Sequence, residues 1–153
     1  MPLELAAVAF DGAFTAEREL NNLRVSRLDP WVGEIAVLEH HEGGLYSTRA
    51  TSPDYGGDGY AAARFSGLPG LLVAAVVGAI PRLGTRQSTG AFGLVADLVR
   101  VMLPADTSAL LLIAEVRAAE AFVSAVAPRG GQVGRRELSD EHVKQLQAAA
   151  TRR

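Results

Sequence analysis

The chain has 153 residues, of which 48% are hydrophobic and 21% are charged. This length and composition suit one domain with a sizeable core and exclude a disordered chain. The formal net charge of −2 gives no general attraction to nucleic acid or anionic lipid, and the absence of cysteine excludes disulfides, thiolate nucleophiles and cysteine-ligated zinc.

The first predicted element is a buried strand over residues 3–10, LELAAVAF, which Asp11-Gly12 closes. Thr15 is then expected to cap a helix that ends before Asp29-Pro30. No basic segment precedes the apolar run, and Glu4 lies within it. We therefore expect no secretory signal and a cytoplasmic location.

A hairpin is predicted next. Residues 33–40, GEIAVLEH, alternate between apolar and other side chains, which predicts a half-exposed strand. Glu42-Gly43-Gly44 then turns the chain into a partner strand over residues 45–50. The Gly- and Asp-rich residues 51–60 form a loop that precedes an insertion.

The insertion, residues 61–103, is predicted to be an apolar helical hairpin. Its first helix ends at Pro81, and its second runs roughly from Ser88 to Leu103. The first helix has small residues at a spacing of four, which places them on one face and lets another helix backbone approach closely. The residues predicted to mediate self-association are Gly70, Leu71, Ala74, Val77 and Gly78.

Three locations are open for this apolar hairpin. The thirteen apolar residues 68–80 cover about 20 Å as a helix, less than a bilayer core of about 30 Å. Asp97 and Arg100 in the second helix are costly in lipid, so we expect no transmembrane span. Contact between copies of the chain is the leading interpretation, with packing inside one chain and peripheral membrane contact as the alternatives.

The C-terminal part repeats the order strand, helix, strand. Residues 108–115 predict a buried strand, 116–127 a helix and 132–138 a polar strand, after which Ser139 caps a final helix. Two such units interleave into a ferredoxin-like antiparallel sheet with helices on one face. The predicted fold is therefore a single α+β domain over residues 1–153, with strands 3–10 and 108–115 central and with the hairpin and the last helix added.

The order of several segments resembles an uncharacterised bacterial family, a domain of unknown function that is often labelled a membrane protein. The resemblance is carried by the strand ending in Phe10-Asp11, the glycine-zipper hairpin, LPADTSALLLIAE at 103–115 and GGQVGRRELSDE at 130–141. In this sequence the hairpin is shorter and is interrupted by Pro81. The resemblance implies a fold but no activity.

Few polar residues are candidates for a chemical role. His40 and His41 are adjacent, so they should point to opposite sides of a strand, and His142 is distant in sequence. Glu34, Glu39 and Glu42 are interpreted as solvated carboxylates near the hairpin. Asp97 is expected to be buried and paired with Arg100.

No nucleotide-binding loop, dinucleotide fingerprint or nucleophile elbow is present. We therefore predict no enzyme, no catalytic residue, no cofactor or metal site and no nucleic-acid partner. The predicted function is homo-oligomeric assembly through the hairpin, with the biological role unidentified. The alternative is a small-ligand-binding or regulatory module with its site between the sheet and the insertion.

Overall fold

The computed structural model describes residues 3–25, 35–51, 75, 76, 78, 79, 83, 90–129 and 131–151. The strands are β1 (Leu3–Asp11), β2 (Ile35–His40), β3 (Tyr46–Thr51), β4 (Thr107–Glu115) and β5 (Gln132–Leu138). The helices are α1 (Thr15–Val25), α2 (Gly90–Met102), α3 (Val116–Val126) and α4 (Asp140–Thr151), with a 3₁₀ turn at Ala127–Arg129.

The strands form one antiparallel sheet in the order β3-β2-β4-β1-β5. The predicted central pair is confirmed, because β1 and β4 pair along their whole length, from Leu3 opposite Glu115 to Asp11 opposite Thr107. These two strands are the most apolar in the chain, and a central strand has neighbours on both edges. The sheet together with helices α1–α4 confirms the predicted α+β class.

Both faces of the sheet are covered. Alternate residues of β1, such as Ala6 and Val8, face α1 and α3, where Leu20 and Phe122 complete one core. The intervening residues, such as Leu5 and Ala7, face a second core that α2 and α4 complete. We call these the α1/α3 face and the α2/α4 face.

Helices α1 and α3 lie together on one face of the sheet, and the additional helices α2 and α4 cover the other face. The exposure of β2 corrects an expectation. Strand β2 was expected to be half-exposed, but residues 35–39 are all buried. Strand β3 pairs with its outer edge, and the two helical layers cover its two sides.

A buried serine on β4 fastens the start of α1 to the sheet. The Ser108 hydroxyl donates to the Gly12 carbonyl at 2.7 Å and accepts from the Ala16 N–H at 2.9 Å. Thr15, the expected cap, instead donates its hydroxyl to the Asp11 carbonyl at 2.5 Å. The cap of α1 therefore comes from a residue more than ninety positions away in sequence.

We expect Ser108→Ala to lower the free energy of unfolding by about 1–3 kcal/mol, because the variant leaves the buried Ala16 N–H and the partly buried Gly12 carbonyl without this partner. Ser124→Ala, on the exposed side of α3, is the matched control and should change the free energy by less than about 0.5 kcal/mol. Urea unfolding of both variants measures the difference. Equal effects would contradict the role of Ser108.

Candidate functional site

Several chain segments meet at one end of the sheet. Strands β1 and β2 both pair antiparallel with β4, so they run parallel to each other and end at the same edge. The start of α1 and the starts of β3 and β4 lie at this edge as well. Asp106, just before β4, joins them, because its N–H donates to the His40 carbonyl and its carbonyl accepts from the Gly12 N–H, each at 2.8 Å.

Asp106 makes this junction in a left-handed backbone conformation, with φ of 60°. Asp tolerates that region better than most residues, since a short polar side chain can bond locally. Its Oδ1 accepts from the Ala13 N–H at 3.3 Å, which ties the β1–α1 connection to the same corner. Asp106 therefore connects the end of β2 to the segment between β1 and α1.

Glu39 is the most unusual side chain at this edge. It lies on the α1/α3 face of β2 and is only 6% exposed. Its Oε1 accepts from the Ser47 hydroxyl at 3.0 Å, whereas its buried Oε2 has no hydrogen-bond partner among the described residues. An unmet buried polar group costs about 1–3 kcal/mol, and more when the group is charged. Among the described residues, no hydrogen-bond donor satisfies the Oε2 atom of Glu39, and either a donor or a cation would do so.

His41 completes a small cluster with these two residues. Its Nε2 lies 2.9 Å from Ser47 Oγ and 3.7 Å from Glu39 Oε1. Its ring meets that of Phe14 with centroids 5.6 Å apart, and Phe14 itself is 66% exposed. We call Glu39, His41 and Ser47 the Glu39 cluster. It lies on the protein surface beside an exposed aromatic ring, with its carboxylate buried below.

The β2–β3 hairpin fixes the geometry of the Glu39 cluster. Glu39 and Ser47 are direct cross-strand partners, and His41 follows Glu39 by two residues. The loop is closed by hydrogen bonds from the His41 N–H to the Leu45 carbonyl and from the Gly44 N–H to the His41 carbonyl, both at 2.9 Å. Gly44 has a φ of 86°, which glycine adopts without strain.

The start of α1 lies on the same face of the sheet. Ser108 is the cross-strand neighbour of Glu39 on β4, and its hydroxyl holds the Ala16 N–H in the first turn of α1. A helix N-terminus carries partial positive charge, which favours a nearby carboxylate. This helps to explain why a buried Glu39 is tolerated, but it gives Oε2 no hydrogen bond.

The other two histidines lie elsewhere. His40 points to the α2/α4 face, where its Nδ1 is 2.8 Å from the Leu103 carbonyl oxygen and its ring stacks on Tyr46 with centroids 4.0 Å apart. Burial raises the pKa of the Tyr46 hydroxyl, although the positive charge of Arg100 partly opposes the shift. The prediction that His40 and His41 point apart is confirmed.

His142 belongs to the start of α4, where the Ser139 hydroxyl accepts from the His142 N–H at 3.1 Å. The predicted Ser139 cap is confirmed. Within the described residues, no group of three or more His, Cys, Asp or Glu side chains is placed to hold a metal.

Sequence reasoning missed Glu39 and Ser47. Glu39 was interpreted as a solvated carboxylate, and this was wrong, because its side chain shares the buried face with Ile35 and Val37. The alternation of β2 carries this signal, since residues 35, 37 and 39 must point the same way. Ser47 gave no signal without the strand register.

Asp97 was also misplaced. It was expected to be buried, but its side chain is 61% exposed. The predicted ion pair with Arg100 is confirmed, and Arg100 Nε additionally donates to the Leu83 carbonyl at 3.1 Å. Asp97 therefore provides no buried acid.

A hollow lies between the sheet and the end of α2. Its volume is about 170 Å³, and it is lined on the sheet side by Asp11, Thr107 and Gln132 and on the helix side by Met102 and Pro104. This is where the ligand-binding alternative placed a site, between the sheet and the insertion. The Thr107 hydroxyl already donates to the Pro104 carbonyl at 2.5 Å, so it is not a free donor.

Of the residues predicted for self-association, only Gly78 lies in the described part of the chain. Gly70, Leu71, Ala74 and Val77 are outside it. A Cβ at Gly78 would lie 2.3 Å from a ring carbon of Phe92 in α2 of the same chain. The neighbouring residues Ala75, Val76 and Ala79 are buried in the core of the α2/α4 face. The described part of this segment therefore packs within one chain.

Among the residues that the structure describes, no helix combines the length and hydropathy that a membrane crossing requires. No protein-family model, curated protein or solved structure matches this chain. Its function must therefore be inferred from its own side chains.

We expect Gly78→Ala to lower the free energy of unfolding by about 1–3 kcal/mol, because the added methyl group would overlap the Phe92 ring. The same substitution should cost less in a Phe92→Leu background. A double-mutant cycle from urea unfolding measures this coupling. Gly43→Ala is the control, since a Cβ there meets no atom within 4 Å. An unchanged cost in the Phe92→Leu background would contradict the contact.

Proposed function

We propose that this chain is a non-enzymatic, regulatory ligand-binding domain and that the Glu39 cluster is its ligand site. One observation carries the proposal: a carboxylate that is 6% exposed has an oxygen without a hydrogen-bond partner in the described part of the chain. A ligand that offers a positive charge or a hydrogen-bond donor would satisfy this oxygen. Of these two, we propose a small cation or a small cationic molecule, because a positive charge also neutralises the buried carboxylate.

The cluster supports binding better than catalysis. In a serine triad the nucleophile and the carboxylate contact different nitrogens of the histidine. Here Ser47 and Glu39 both approach Nε2 of His41. The carboxylate is thus not placed to orient the imidazole for proton transfer from Ser47, and the exposed Phe14 ring beside the cluster is suited to covering a bound cation.

We further propose a ferredoxin-like topology for this domain. Its support is the sheet order β2-β4-β1-β5, in which α1 connects β1 to β2 and α3 connects β4 to β5 on the same face. Each connection passes over one intervening strand, as in two interleaved split βαβ units. The hairpin at 61–103 is proposed as an insertion between β3 and β4, and its described part comprises α2 and residues 75, 76, 78, 79 and 83.

Cytoplasmic location and membership of the uncharacterised bacterial family are also proposals, and both rest on the sequence. The family is supported by the segments at 103–115 and 130–141, which include β4 and β5.

We expect small cations to raise the melting temperature of the wild-type protein and to leave that of Glu39→Gln unchanged. The panel comprises divalent metal chlorides, potassium chloride and small primary ammonium salts at constant ionic strength, followed by thermal unfolding. The Gln variant removes a buried charge and keeps the shape, so its own stability should be equal or higher. Glu42→Gln, an exposed carboxylate on the same hairpin, is the control.

A shift of the same size in Glu39→Gln would place the ligand elsewhere and would contradict the proposed site. The hollow beside Met102 would then be the next site to test. Absence of any shift in the wild-type protein would contradict the ligand-binding function itself.

Self-association is the second candidate function. Helix α2 buries one side in the core, yet Val101 on its other side is 76% exposed. The insertion therefore presents apolar surface outward as well as inward, and the small residues Gly70 and Ala74 would allow a second helix to approach closely. The expected product is a homo-oligomer.

We expect Ala74→Leu to shift such an oligomer towards smaller species, because the larger side chain would force apart two close helices at a cost of about 1–3 kcal/mol. Size-exclusion chromatography with light scattering measures the mass, and thermal unfolding measures the stability. Unchanged mass and unchanged melting temperature would contradict assembly through this face. Lower stability at unchanged mass would instead indicate packing inside one chain.

A further inference from the structure

We propose that the Glu39 cluster is a binding site for a divalent transition-metal ion, with Zn²⁺ the best fit. The ligands are His41 Nε2, Glu39 Oε1 and Ser47 Oγ, and a further position faces solvent. This inference rests on the proposed ligand-binding function and names the ligand that the carboxylate lacks.

The spacing of the three atoms fits such an ion. Their separations are 2.9, 3.0 and 3.7 Å, so a point about 1.9 Å from all three exists between them, close to the 2.0–2.2 Å typical of Zn–N and Zn–O bonds. An ion slightly above the plane of the three atoms would reach these distances with small movements of the side chains. The ligand atoms are therefore already gathered around one point.

The donor types select a transition metal. Imidazole nitrogen suits Zn²⁺, Cu²⁺ and Ni²⁺, whereas Ca²⁺ takes six to eight oxygen ligands and Mg²⁺ prefers an octahedron of oxygens. One histidine, one carboxylate and one hydroxyl leave room for solvent in a four-coordinate site. His41 is thus the residue that distinguishes this site from a calcium or magnesium site.

Charge and burial point the same way. A cation beside Oε1 would neutralise the Glu39 carboxylate, which is 6% exposed. The carboxylate can also bind through both oxygens, which would give Oε2 the partner it lacks. The His41 side chain is 31% exposed, so the cluster is at the protein surface.

Metal binding replaces two hydrogen bonds. Ser47 donates its single hydroxyl proton to Glu39, so the Nε2–H of His41 must donate to Ser47 Oγ. When the ion binds, His41 changes from the Nε2–H to the Nδ1–H tautomer by proton exchange with solvent, and the Ser47 hydroxyl turns its proton away from Glu39. The metal–ligand bonds take the place of both interactions, and the hairpin backbone does not need to move.

The test is a titration of tag-free, chelator-treated full-length protein with ZnCl₂ by isothermal calorimetry. We expect one ion per chain. His41→Ala and Glu39→Gln should each weaken binding at least tenfold, and Ser47→Ala should weaken it less, because a hydroxyl is the weakest of the three ligands. His142→Ala, on α4, is the matched histidine control and should bind like the wild-type protein.

Co²⁺ provides a second readout that does not depend on the stability of the variant. Visible absorption of the bound ion reports low coordination with a nitrogen ligand, and it should be lost in His41→Ala. Circular dichroism of each variant confirms that the fold is retained, and His41→Asn serves as a second variant if the Ala variant unfolds.

Equal Zn²⁺ affinity in wild-type protein and His41→Ala would overturn the metal site. Ammonium salts that stabilise the protein through Glu39, without any effect of Zn²⁺, would overturn it too but leave the ligand-binding function in place. No binding of any cation would contradict both proposals.

Discussion

The antiparallel pairing of β1 with β4 is the constraint on which the rest of the structure depends. Both strands carry apolar side chains at nearly every position, so their pairing creates a ribbon that is apolar on both faces. Neither face can be left to water, since each buried side chain of Leu size contributes about 1.5–3 kcal/mol. Helices α1 and α3 cover one face, and α2 and α4 cover the other. The polar strands β3 and β5 lie at the edges of the sheet, and the Glu39 cluster lies at one end of it.

Sequence patterns of a few residues correctly predicted the elements whose structure depends mainly on neighbouring residues. The two apolar runs became the central strands, and Ser139 caps the last helix as its spacing indicates. The prediction that Thr15 caps α1 was wrong, because a residue distant in sequence supplies the cap. The Ser108 hydroxyl on β4 accepts from the Ala16 N–H. Thr15 is a good cap by composition, but the tertiary contact takes its place.

Burial was the quantity that sequence reasoning judged least well. Glu39 looked like a surface residue and is buried, whereas Asp97 sits in an apolar helix and is exposed. Both errors have the same source, since the exposure of a side chain depends on the elements that pack against its side of the strand or helix. The helices that cover the α1/α3 face of β2 and the orientation of α2 decide these positions, and neither is visible in a window of a few residues. The three cluster residues lie within nine positions of each other, yet only the hairpin register brings Ser47 opposite Glu39.

The sheet order also has a consequence for how this chain acquires its structure. Leu3 pairs with Glu115 on one side and with Leu138 on the other, so β1 has no strand neighbour from the first hundred residues of the chain. Contacts of such long sequence separation close slowly, because loop entropy is lost before they form. During synthesis the β2–β3 hairpin can pair as soon as it emerges, while β1 must wait for the C-terminal third. Folding of the core is therefore a late event. Until β4 and β5 have been synthesised, the apolar strand β1 stays unpaired, and chaperones can bind it during that time.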